Sequence, residues 1–194
     1  MTRKSALAAV ATAAALFASL TGTVAAHDDD NHGHGSKNRL TADLKGLGEV
    51  PIVVTSGRGS FRAVISPDET EVSYRLDYSG LEGTVTQSHI HVGEHHTSGG
   101  ISVWLCGTST NPGPAGTPTC GVPGGPDAEA SGVLTKANVV GPSAQGVGGP
   151  IPVVDPDAEF AQLIKVLRAG LAYANVHSTM SPSGEIRGQI KVDD

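Results

Sequence analysis

From Leu40 onward, apolar and polar positions alternate with a period of two, the signature of half-buried strands. Leu40, Ala42 and Leu44 predict a first strand. Gly59, Phe61, Ala63 and Ile65 face one way and Arg58, Ser60, Arg62 and Val64 the other, and Pro67-Asp68 makes a turn. Val72, Tyr74, Leu76 and Tyr78 then alternate with Glu71, Ser73, Arg75 and Asp77, so the two runs read as a hairpin. Gly80 to Gly83 turns the chain into a strand over Thr84 to Val92, followed by strands at Ile101 to Leu105 and Ala130 to Leu134. Two more runs, Leu171 to His177 and Glu185 to Val192, flank a Ser181–Gly184 turn. In the last of these, Ile186, Gly188, Ile190 and Val192 face inward, while Glu185, Arg187, Gln189 and Lys191 form an exposed ladder.

The period changes to that of a helix only once. Phe160, Leu163, Ile164 and Leu167 make an i, i+3, i+4, i+7 stripe. Asp155 serves as N-cap, Pro156 takes the first helical position, Asp157 and Glu159 load the first turn, and Gly170 ends the helix. About eight strands and one covering helix in one domain predict an all-β fold, an antiparallel Greek-key-like β-sandwich or barrel.

The first 26 residues read as a signal peptide. Arg3 and Lys4 precede an apolar run from Ala6 to Leu20, and Val24-Ala25-Ala26 offers small residues for cleavage. The run is short for a membrane span, and no later stretch reaches eighteen apolar residues. Residues 27–36 contain no large apolar side chain and predict a disordered His/Asp-rich tail ahead of a domain over 37–194. Losing the leader takes the formal net charge from −6 to −8, a poor match to nucleic acid or anionic membrane. In an oxidising compartment the only two cysteines, Cys106 and Cys120, read as a disulfide closing a loop rich in Gly and Pro.

Four of the eight histidines fall within Gln87 to His96. On a strand, His89 and His91 share a face while Ile90 points away. His177 ends another predicted strand, and Glu185 follows it after a short turn. If the fold brings these strands together, His89, His91 and His177 form a three-histidine copper or zinc site, with Glu185 as a fourth ligand or orienting group. The alternative is a structural cluster in which the histidines, Asn175 and Glu185 bond one another without metal. His95, His96 and the tail histidines, His27, His32 and His34, are accessory at most.

Several blocks together resemble the CHRD family, the domain named after chordin. They are Gly48-Glu49-Val50-Pro51 with Gly57 to Phe61, Ser79-Gly80-Leu81, Ser88-His89-Ile90-His91, Gly170 to Ser178, and Ser183 to Ile190. The resemblance spans about Leu40 to Val192 and departs at His95-His96 and in the insert from Gly107 to Pro150. It implies an extracellular β-rich module and no particular reaction, and it makes the meeting of His177 with His89 and His91 the expected arrangement. The His-x-His strand also resembles copper-zinc superoxide dismutase, an analogy of pattern alone.

Catalytic constellations are thin. No serine sits in a Gly-x-Ser-x-Gly elbow, no Gly-rich phosphate loop opens the helix, and the paired cysteines leave no thiolate. These features weigh against an enzyme and name no catalytic residue. Three classes stay open: an exported metal-binding module, a metal-free adhesion or matrix module with an unidentified extracellular partner, and a dismutase-like redox enzyme.

Overall fold

The computed structural model describes residues 36–121, 127–147 and 155–193. The expected leader and nearly all of the His/Asp tail lie outside the described residues. The alternation becomes nine antiparallel strands: β1 Arg39–Lys45, β2 Arg58–Ile65, β3 Val72–Ser79, β4 Val85–Val92, β5 Ile101–Gly107, β6 Asp127–Leu134, β7 Ala172–Ser178, β8 Ile186–Gln189 and β9 Lys191–Val192. The count exceeds eight because the last predicted strand breaks at Ile190. The Ile190 amide donates to the Ala172 carbonyl (2.9 Å), and β9 pairs with β1.

The strands follow the order β5-β4-β7-β8-β1-β2-β3-β6, with β9 beside β1. β7 and β8, late in sequence, insert between β4 and β1, which gives the Greek-key character. The sheet curls into a nearly closed barrel. At the seam, the buried Tyr74 hydroxyl on β3 donates to the Leu105 carbonyl on β5 (2.6 Å). Near the same edge Cys106 is disulfide-bonded to Cys120, and the Gly121 amide reaches the Glu129 carbonyl of β6 (3.3 Å).

Parity fills the barrel. Leu40, Ala42 and Leu44 of β1 join Phe61, Ala63 and Ile65 of β2 and Val72, Leu76 and Tyr78 of β3 in one apolar cluster. Ile90 and Val92 of β4, and Ala172, Ala174 and Val176 of β7, belong to the same cluster. The helix α1, Pro156–Arg168, adds Phe160, Leu163, Ile164 and Leu167. Its start is capped as the sequence predicts, with the Asp155 carboxylate accepting from the Asp157 amide (3.0 Å). Past its C-terminus, Gly170 takes φ +70°. Arg168 pairs with Glu69 in the β2–β3 turn (2.6 Å), fixing the helix over that end of the barrel.

Candidate metal centre

β4 and β7 are hydrogen-bonded neighbours, with His89 opposite Asn175, His91 opposite Tyr173 and Gln87 opposite His177. Residues opposite each other in a ladder share a face. Ile90, Ala174 and Val176 take the core side, so the histidines stand on the face turned outward from the barrel. They are nevertheless buried: His89 is 0%, His91 8% and His177 6% exposed.

Three pieces of chain cover them. The loop over residues 93–100 is fastened to side chains beneath it. His91 Nδ1 donates to the Gly99 carbonyl (3.0 Å) and the Gly99 amide to the Tyr173 hydroxyl (3.2 Å). Gln189 Nε2 donates to the Gly93 carbonyl (2.9 Å) and Arg187 Nη2 to that of Glu94 (3.1 Å). On the opposite flank Trp104 of β5 meets His89 edge-on at 4.4 Å, and the disulfide loop lies against the Trp104 ring. Gly113, at φ +68°, lies so near that a Cβ there would stand 2.6 Å from the Trp104 ring. The turn before β8 supplies the Pro182 carbonyl, which accepts from His177 Nδ1 (2.9 Å).

These bonds decide the tautomers. A carbonyl only accepts, so Nδ1 of His91 and of His177 carries the proton and each Nε2 keeps a lone pair. The lone pair of His177 faces His89 Nδ1 at 3.2 Å. Nε2 of His91 and Nε2 of His89 are buried with no partner among the described residues, as is Asn175 Oδ1. Burial pushes His89 down to about 2, the neighbouring His177 and His91 adding to it. Burial likewise lowers His91 to about 4, against the Gly99 bond, and lowers His177. All three rings are therefore neutral at physiological pH. Their ligand nitrogens, one per ring, lie within 4.8 Å of one another. Ligands at 2.0–2.1 Å from a tetrahedral ion stand about 3.3 Å apart, so only small ring movements separate this arrangement from a coordination shell. The donor set fits zinc or copper: buried neutral imidazoles, unanswered lone pairs, and backbone carbonyls orienting two of the rings.

Glu185, expected as a fourth ligand or an orienting group, is not brought into the cluster. Its Oε1 accepts from Thr55 Oγ1 (2.7 Å) and the Glu82 amide (2.6 Å), and its Oε2 from Ser178 Oγ. It ties two loops to β7 instead. His95 and His96 lie exposed in the covering loop, outside the group. The exposed ladder expected on β8 is also corrected, since Glu185 is 0% and Arg187 4% exposed. Arg187 lies over the Tyr173 ring, 3.3 Å from its centroid, and Tyr173 in turn stacks on His91 at 4.8 Å. Sequence reading missed this Arg187–Tyr173–His91 stack. The outward parity of Arg187 was legible, but the loop that buries it was not.

Fold and site together define an all-β module with a buried histidine group beneath loops on the outer face of its sheet. A family model, the CHRD domain, matches residues 40–190, and the protein belongs to that family. No curated protein and no solved structure matches the chain.

Proposed function

We propose that this protein is an exported, non-catalytic CHRD module that holds one zinc or copper ion through His89, His91 and His177. The observation that carries the reading is the convergence of three buried ring nitrogens within 4.8 Å, with no donor to His91 Nε2 among the described residues. A purely structural cluster would be expected to satisfy its buried acceptors, because an unanswered buried polar atom costs about 1–3 kcal/mol. Export is supported by the leader pattern, the disulfide and the extracellular character of CHRD domains.

Elemental analysis of the untagged protein, purified from the medium or periplasm, should find about one zinc or copper per chain. The His177→Ala variant should lose that metal while keeping its circular dichroism spectrum, and deletion of residues 27–36 should leave the stoichiometry unchanged. Metal that disappears with the tail and survives His177→Ala would show the core histidines to be structural, leaving the metal-free adhesion module as the better reading. Turnover of superoxide in proportion to copper content would instead move the protein to the redox enzymes.

A further inference from the structure

We propose that Arg187 and Lys45 form a binding site for a small oxyanion, a carboxylate or phosphate group, in the cavity beside the covering loop. The cavity, about 240 Å³, is lined by Asp43, Lys45, Leu47, His95, Arg187 and Gln189, among others. It is smaller than the clefts that take drug-sized ligands, roughly 300–1,000 Å³, and suits a compact group.

Three observations point to an anion. First, Arg187 is 4% exposed, yet among the described residues no carboxylate lies within 4.0 Å of its guanidinium. Among the described residues its side chain makes one hydrogen bond, from Nη2 to the Glu94 carbonyl, which leaves most of a five-donor fork without a protein acceptor. Buried guanidinium groups ordinarily meet a carboxylate or phosphate in bidentate fashion. Second, Lys45 is the direct cross-strand partner of Arg187. Like charges at such a position repel, and an anion held between them removes the penalty. Third, the cavity has a cationic lining on a protein whose net charge is −6, so the local sign runs against the global one. Among the described lining residues Asp43 is the one acidic side chain, and it is exposed. Desolvation lowers the pKa of Arg187, against the opposing charges of Tyr173 and of Glu49, a carboxyl group that stands outside ion-pair distance.

Leu47, 66% exposed at the rim, offers apolar surface to whatever carries the anionic group. The stack through Tyr173 puts this cavity next to the histidine cluster, but its recognition chemistry needs no metal.

The test is a titration of the metal-free mature protein, followed by amide chemical shifts in low-salt buffer, with inorganic phosphate in one arm and butyrate in the other. Saturable shifts centred on Lys45, Arg187 and Gln189 are expected in at least one arm, and the arm that saturates at lower concentration identifies the source of the oxyanion. Lys45→Glu should weaken that binding about tenfold, and Asp43→Asn should strengthen it several-fold, since each alters one exposed charge at the rim. Both positions are exposed, so the variants should fold. No saturation in either arm up to about 10 mM, tenfold above a Kd of about 1 mM, or equal affinity in Lys45→Glu and the parent, overturns the proposal. Repeating the titration with zinc present keeps this result separate from the metal reading, which stands or falls on stoichiometry.

Discussion

Glu49 shows how burial alone can turn a carboxyl group against the fold. It is 6% exposed, its Oε1 has no hydrogen-bond donor among the described residues, and desolvation raises its pKa from 4.5 to about 7 despite the charge of nearby Arg187 and a bond from the Val50 amide. The folded pKa lies above the unfolded one, so between about pH 4.5 and 7 the folded protein holds a proton that the unfolded chain releases. Stability therefore falls as pH rises through that window. Glu49→Gln, which cannot ionise, should match the parent near pH 4 and exceed it by about 1–3 kcal/mol at pH 8.5. Urea unfolding at the two pH values checks this, and a variant weaker than the parent at pH 8.5 would mean the carboxylate is stabilised where it lies. The sequence showed Glu49 only as part of a Gly-Glu-Val-Pro block. Its burial depends on Gly184 and Arg187, which arrive from more than a hundred residues away.

At the scale of elements, the strands and the helix were legible because their periods are local. His89 and His91 could be assigned one face from their spacing alone. What covers that face was not legible, because the loop over residues 93–100 has no period and its anchors come from β7 and β8. Gly99 is the point where loop and cluster meet. A Cβ there would stand 1.6 Å from the Val92 carbonyl oxygen, so the loop must move to accept one. Gly99→Ala should therefore displace the carbonyl that orients His91. Zinc affinity should fall about 10–100-fold, as it does when an orienting partner is lost elsewhere. The β-sheet spectrum should be kept, since the loop lies outside the barrel core. Calorimetric zinc titration reads the loss, and unchanged affinity would show that the Gly99 bond is not needed to aim the ring.

For the whole molecule, the alternating runs specified an antiparallel all-β assembly but not how its edges meet. That closure depends on long-range contacts between chemically ordinary residues. Tyr74 reads in sequence as one more inward aromatic, yet its hydroxyl spans from β3 to the Leu105 carbonyl of β5 (2.6 Å). The disulfide holds the same strand end, Cys106 lying next to Leu105. Removing the hydroxyl in Tyr74→Phe leaves that carbonyl without its donor and should cost about 1–2 kcal/mol. Replacing both cysteines by alanine should cost about 3 kcal/mol through the freed loop of 14-residue separation. If the two devices close one seam, they couple. In the cysteine-free background β5 can move away from β3, the tyrosine bond is already weakened, and Tyr74→Phe should cost less by at least about 0.5 kcal/mol. Urea unfolding of the four proteins in this cycle measures the coupling. Strict additivity would show that hydroxyl and disulfide act independently and that the barrel's edges are held by its core alone.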